Sequence, residues 1–357
     1  MKYKLPKTLA ALLALSMLTA CGTAKTSTAE TETAAVTTTA AVAADTEAES
    51  DDLFTDRDLT QTADLTDAVK KTVSDGDTLT ITAEGVYVLT GEAENAQVVV
   101  EAPDDAKVQL VLDALTVTND SVPVIYVKSA DKVFITTTDS ENTLAVTGTF
   151  TADGDTNTDA VIFSKDDLVL NGTGTLTISS ADNGVTSKDD LKVTGGTLVI
   201  DCASHGLEAN DRALIAGGNI TLSAKEGVEA TYVYIAGGTI TISATDDGIN
   251  AAANSNEYEV CIEIAGGDIT ITMAQGDTDA LDSNGSLIIS GGTVDITAQF
   301  AFDFVTGAQH TGGTITVNGE TVDTITESMM TGGMGGMGGQ MPGEMPGGMP
   351  GGHGGRP

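Results

Sequence analysis

A Gly-Gly dipeptide returns along this chain at a near-constant interval, and that recurrence limits the fold more than any other feature. It stands at Gly195-Gly196, Gly217-Gly218, Gly237-Gly238, Gly266-Gly267, Gly291-Gly292 and Gly312-Gly313. Subtracting successive first positions gives steps of 22, 20, 29, 25 and 21 residues. A period of this size marks a solenoid, in which one supersecondary unit per turn stacks on the next. Each pair is preceded by a short apolar run, such as Val233-Tyr234-Ile235, and followed by an alternating one, such as Thr239-Ile240-Thr241-Ile242. These β-branched, period-two runs read as short strands, and the glycines as a bend that a Cβ would obstruct. A third strand precedes the next pair, with a small residue before a large apolar one: Asn183-Gly184-Val185, His205-Gly206-Leu207, Glu226-Gly227-Val228, Asp247-Gly248-Ile249, Asp279-Ala280-Leu281 and Phe300-Ala301-Phe302.

Three strands in about 21 residues describe one turn of a parallel β-helix. The fold is therefore all-β, and no helical periodicity runs through its body. A left-handed hexapeptide helix would need a six-residue period, which is absent. Less regular strands are expected at 77–91, 96–101, 108–119, 122–128, 132–138 and 143–148. The coil is expected to begin near residue 75 and to end near 325, inside a domain spanning 53–328.

The flanks are of another kind. Lys2, Lys4 and Lys7 precede an apolar run from Leu9 to Leu18 that is too short to span a bilayer, and Leu18-Thr19-Ala20-Cys21 follows. This resembles the lipobox of bacterial lipoproteins. It makes residues 1–20 a lipoprotein signal peptide, Cys21 the lipidated first mature residue, and the outer face of the bacterial cell membrane the expected location. Residues 21–52 are rich in Thr, Ala and Glu and read as a disordered tether. Residues 329–357 read as a disordered Gly/Met/Pro tail. The tail's methionines and His353 are a conceivable site for a soft cation, with low complexity the plainer reading. Cys202 follows the inward parity of Leu198 and Ile200, and Cys261 lies in another turn, so no disulfide is expected.

The formal net charge of −36 argues against nucleic acid or anionic lipid as a partner, leaving the lipid on Cys21 as the only membrane attachment expected. It permits divalent cations, which relieve repulsion between crowded carboxylates. Aligned on Gly-Gly, one polar column holds Asn183, His205, Glu226, Asp247, Asp279 and Phe300. Another, three residues on, holds Thr186, Glu208, Glu229, Asn250, Asp282 and Asp303, while Asp182, Asp246 and Asp277 lie near the first. Equivalent residues of adjacent turns stand about 4.8 Å apart. Asp246, Asp247, Asn250, Asp279 and Asp282 are thus the expected holders of at least one Ca²⁺, with Asp277, Asp182, Asn183, Glu208 and Glu229 as further candidates. The alternative is a solvated acidic edge that deters aggregation. His205 reads better as a solvated turn residue than as a ligand. The loop 153–159 carries oxygens at alternate positions but lacks the glycine and the final glutamate of an EF-hand, so it reads as an ordinary polar loop. Aromatics are few. Tyr232, Tyr234, Phe300, Phe302 and Phe304 cluster best and are assigned no ligand.

Ser164-Lys165-Asp166-Asp167-Leu168, Asp246-Asp247-Gly248-Ile249 and Leu281-Asp282-Ser283-Asn284-Gly285, each running into a glycine turn, resemble motifs of the clostridial carbohydrate-binding parallel β-helix lipoprotein family. The resemblance covers most of residues 75–325. It implies a right-handed, single-stranded, pectate-lyase-like β-helix that binds calcium and plant polysaccharides such as cellulose or acidic pectic sugars. It carries Asp246, Asp247, Asp279 and Asp282 over as calcium ligands; His205, Glu226 and Phe300 depart from the pattern. The expected protein is a monomeric, non-catalytic, calcium-dependent polysaccharide binder with no assigned catalytic residue. The alternatives are a calcium-dependent lyase, for which Lys165, Lys188, Lys192, Arg212 and Lys225 are the only basic groups in the middle turns, and a purely structural solenoid.

Overall fold

The computed structural model describes residues 53–276 and 278–327. The predicted leader, tether and tail, Cys21 among them, lie outside the described residues, as does Asp277. The described chain is a parallel β-solenoid of about ten turns. Most turns give one strand to a ten-stranded sheet and two to a 20-stranded sheet, while early turns give the larger sheet one long strand, as at Gly85–Glu94 and Lys107–Asn119. The larger sheet holds two of the three faces. Its first turns join them because Lys107–Asn119 runs unbroken round the bend, pairing with both Lys132–Thr137 and Glu141–Val146.

The alternating strands after each Gly-Gly explain the core. Ile220, Ile240, Ile269, Val294 and Ile315 are successive register partners, as are Leu222, Ile242, Ile271 and Ile296. All are at most 1% exposed. Their threonine neighbours face outward, so the period-two pattern sends one file inward and one to solvent. Each buried aliphatic side chain contributes roughly 1.5–3 kcal/mol relative to exposure.

The two glycines of each pair answer different demands. The second lies in the left-handed region, with φ of +77° at Gly196, +100° at Gly218 and +93° at Gly267. The first passes close to the turn before it. A Cβ on Gly266 would lie 2.2 Å from the Ala236 carbonyl oxygen, and one on Gly291 2.1 Å from that of Ala265. Gly291→Ala must therefore displace backbone. The expected result is a loss of more than about 1 kcal/mol in urea unfolding; an unchanged midpoint would show that this corner yields freely.

The predicted strand at 77–91 is two strands, Thr78–Ile81 and Gly85–Glu94, because the chain turns between faces before Gly85. A further strand, Val69–Thr72, precedes the expected start. The last turn, Thr314–Val317, is closed by an antiparallel partner, Glu320–Thr321. Cys202 and Cys261 are free thiols. The 29-residue step is explained by residues 252–260, which join Asp247–Ala251 to Cys261–Ile264 where the preceding turn uses Thr231 alone.

Among the described residues one helix escapes the repeat. Asp56–Leu59 is a single turn with a reciprocal capping box between Thr55 and Asp58. It lies against the flank of the solenoid. The Asn171 amide donates to the Thr60 carbonyl, and the Gln61 side chain accepts from Gly172 N. Asp58, fully buried, is paired with Lys192 at 2.8 Å and Lys132 at 3.5 Å. Among the described residues no helix is long and apolar enough to cross a membrane.

Candidate functional site

The outer side of the ten-stranded sheet carries the polar columns expected from the alignment. Thr186, Glu208, Glu229, Asn250, Asp282 and Asp303 are successive register partners. In the other column His205 pairs with Glu226, and Asp247 with Asp279, which pairs in turn with Phe300. Tight stacking needs a small residue after each member. A Cβ on Gly227 would lie 2.4 Å from the Gly248 carbonyl oxygen, and one on Gly248 2.5 Å from that of Ala280.

The columns divide into three linked groups. At the first, Glu208 accepts from the Asn183 amide at 2.7 Å, the Thr186 hydroxyl at 2.8 Å and the Lys188 ammonium at 3.2 Å. Asn183 also accepts from His205 N at 3.0 Å. Asn183 and Glu208 thus satisfy one another. Burial raises the nearby Asp182 carboxyl above its ordinary value, partly offset by His205.

The second group is centred on His205, whose Nε2 lies 3.4 Å from Glu226 Oε1 and 3.0 Å from Glu229 Oε2. The expectation of a solvated turn residue is corrected here: His205 opens the strand His205–Ala209 and is half-buried between two carboxylates. Burial works to lower its pKa, but Glu226, Glu229 and Glu208 outweigh it and hold the imidazole above its ordinary value. Burial also raises Glu229, which the Asn254 amide and His205 partly counter.

The third group is the most charged. Glu226, Asp246 and Asp247 each bring one carboxylate oxygen within 4.8 Å of the others. Burial tends to raise Glu226, yet hydrogen bonds from His205 and Asn250 and the charges of His205 and Lys225 bring it down to about 2. Asp247 goes the other way. Burial first, then the charges of Asp282, Glu226 and Asp246, push it up to about 7. Burial, Asp303 and Asp279 raise Asp282 to about 6. The Asn250 amide donates to Glu226 Oε2 at 3.1 Å, while its carbonyl oxygen is buried with no hydrogen-bond partner. Lys225 caps one edge, 2.7 Å from Asp246 and 3.4 Å from Glu226.

Of the residues read from the sequence, Asp246, Asp247, Asn250, Asp279 and Asp282 fall in this third neighbourhood. Glu229 belongs to the histidine group, and Asp182, Asn183 and Glu208 to the first. Glu226, counted as a departure from the family pattern, belongs to the acidic cluster, because the turn before Asp247 brings Asp246 back towards the preceding rung. The donor set is all oxygen, with an orphaned amide oxygen and, in Asp247, a carboxylate crowded enough to be pushed up to about 7. That composition fits a hard divalent cation. Asp246, Asp247, Glu226 and Asn250 are the residues that would hold it.

A second acidic stack was not anticipated. Asp189, Asp190 and Asp211 gather at the corner between the two sheets. Burial, then Asp167 and Asp190, push Asp189 up to about 7. Its signal was the Ser-Lys-Asp-Asp repeat at Ser164 and Ser187, which marks an aspartate-rich corner as well as a turn. Arg212 forms an ion pair with Asp190 that neutralises part of it. The polar loop at 153–159 closes on the protein itself: Asp153 pairs with Lys128 at 2.8 Å and accepts from the Tyr126 hydroxyl at 3.1 Å.

Comparison with known proteins follows the same lines. A solved structure, a polysaccharide lyase-like protein from C. thermocellum described as a gadolinium derivative, superposes with a TM-score of 0.50 and 27% identity, covering 69% of this chain and 96% of that one. A carbohydrate-binding domain-containing protein of Acetivibrio thermocellus is 34% identical over 120 residues, which are 32% of this chain and 42% of the relative. The match thus spans less than half of that relative's length. The family model described as carbohydrate-binding domain-containing protein matches residues 75–318, more than half of the 357-residue chain. By fold, register and sequence together, the chain belongs to this family of carbohydrate-binding domain-containing proteins.

Proposed function

We propose that this protein is a non-catalytic, calcium-holding polysaccharide binder, displayed outside the cell on a lipidated Cys21 and acting as a monomer. The observation that carries the calcium reading is the Glu226, Asp246 and Asp247 cluster beside the orphaned Asn250 oxygen. Bound there, Ca²⁺ would neutralise the ladder and keep open coordination positions for the carboxylates of an acidic sugar. This explains how so acidic a chain tolerates an acidic glycan.

The basic groups favour binding over β-elimination, which needs an unprotonated base at the sugar. Lys192 is buried on Asp58, Arg212 is paired with Asp190, and Lys188 with Glu208. Lys165 lies 6.0 Å from the centre of the Tyr126 ring, away from the acidic cluster. Among the described lysines and arginines Lys225 stands at the cluster, with His205 on its other side held in an ion pair by Glu226 and Glu229. The hydrogen bond from Lys225 to Asp246 raises the lysine's pKa above its ordinary value, so it stays protonated at neutral pH. The test is retention on insoluble cellulose and on polygalacturonate, with calcium and with chelator. Retention is expected on at least one glycan, with that on polygalacturonate lost in chelator. Binding to neither glycan sinks the proposal, and release of unsaturated sugars, read by ultraviolet absorbance, would replace it with the lyase.

A further inference from the structure

The insertion at 252–260 builds a second feature, away from the acidic ladder. On the outer side of the larger sheet a cleft of about 690 Å³ opens between this loop and the strands that precede Gly-Gly. Its walls include Tyr232, Tyr258, Glu263, Asn284, Ser286 and Arg212. Register explains the grouping. Arg212, Tyr232, Cys261 and Ser286 are partners on successive strands, with Tyr234, Glu263 and Ile288 in the next outward file. The loop is anchored: Asn254 donates to Glu229 at 2.8 Å and Ser255 N to the Thr231 hydroxyl at 2.8 Å. Anchoring sets Tyr258 against the Arg212 guanidinium, 4.6 Å from the ring centre, with 36% of the residue still exposed. Tyr232 donates its hydroxyl proton to Glu263 at 2.7 Å, and its ring lies nearly parallel to that of Tyr234, 6.3 Å away. The floor needs Gly285, where a Cβ would lie 1.9 Å from the Val260 carbonyl oxygen.

We propose that this cleft is a binding site for a neutral, hydroxyl-rich glycan, separate from the acidic ladder. The inference rests on the polysaccharide-binding reading and deepens it. A fixed tyrosine offers the apolar face of a sugar ring a flat surface at little entropic cost. Glu263, Asn284 and Ser286 offer the mixture of acceptors and donors that sugar hydroxyls require. The volume suits a few saccharide units. Charge selects against uronates: Glu259 and Glu263 line the walls, and the one cationic wall residue, Arg212, is already paired with Asp190. An acidic sugar would meet net repulsion here and a cation-bearing surface on the other sheet.

Isothermal titration of the full chain with cellohexaose and with a polygalacturonate oligomer, in calcium, tests this. Tyr258→Ala, at an exposed loop position, is expected to weaken cellohexaose binding by about tenfold or more and to leave polygalacturonate binding unchanged. Tyr232→Phe keeps the ring, frees Glu263, and is expected to cost less than Tyr258→Ala. Wild-type affinity for cellohexaose in Tyr258→Ala, or equal loss of both glycans, overturns the cleft assignment while leaving polysaccharide binding standing. A wild-type chain that binds only polygalacturonate also overturns it. A wild-type chain that binds neither sugar overturns the polysaccharide reading and this proposal with it.

Discussion

Asp58→Ala is expected to destabilise the solenoid by about 3–5 kcal/mol, the usual penalty for removing one member of a buried ion pair. The substitution takes the carboxylate from Lys192, which stood 2.8 Å from it and is 5% exposed, and weakens the charge balance at Lys132, which keeps Asp167 at 3.5 Å. It also removes half of the capping box that forms the helix Asp56–Leu59. Denaturant unfolding of the single variant measures the loss. Replacing Asp58 and Lys192 together by methionine separates the ion pair from the packing, since an apolar pair of similar size is expected to recover most of it. A single variant within about 1 kcal/mol of wild type would mean that the N-terminal turn is only loosely attached. The pH dependence has a definite sign. Burial opposes ionisation of Asp58, but Lys192 and Lys132 outweigh it and lower its pKa in the folded state. Its stabilisation is therefore present above the ordinary aspartate value and is lost as pH falls through the lower folded one.

The second large effect runs in opposite directions with and without metal. Without calcium, Asp247→Asn combined with Asp282→Asn is expected to stabilise the protein near neutral pH, because it removes two carboxylates that crowd each other and their neighbours. The folded-state pKa values of both are raised, Asp247 to about 7 and Asp282 to about 6. Their contribution to stability is thus fully present below the unfolded value near 4 and is lost as pH rises through about 6 to 7. The metal-free wild type should accordingly soften across that window, and the double variant should not. With calcium at about 100 times its dissociation constant, the wild type should gain about 2.7 kcal/mol, a rise of roughly 5 °C in melting temperature for a domain of this size. The double variant should gain almost nothing. Equal calcium responses in the two proteins would place the cation elsewhere.

Most of the architecture was legible in the chain because a solenoid writes its geometry into a linear period. The Gly-Gly spacing marked the corners, and alignment on it put Glu208, Glu229, Asn250, Asp282 and Asp303 in one file, where the register places them. What the period could not carry was whatever leaves the strand. Asp58 meets Lys192 across 134 residues of sequence through a helix too short to show a pattern. Glu226 joins Asp246 and Asp247 through the shape of a turn, and turn geometry is set by backbone dihedrals rather than by alternation. His205 looked solvated because its two glutamate partners come from the following strand, which only the stack brings near. The cleft depends on an insertion, and a break in the period reads as irregularity until the loop is seen lying against Arg212.

The central claim is that stacked carboxylates of successive turns hold a divalent cation. Calcium titration by calorimetry after exhaustive chelation, repeated at pH 7 in buffers of different ionisation enthalpy, tests it most directly. The account predicts saturable binding with release of protons, because Asp247 must shed its proton to bind and the cation's charge draws off the proton that neighbouring Asp282 still shares, and affinity that weakens as pH falls below about 6. No heat in any buffer, or binding that releases no proton and survives Asp247→Asn with Asp282→Asn, would contradict it.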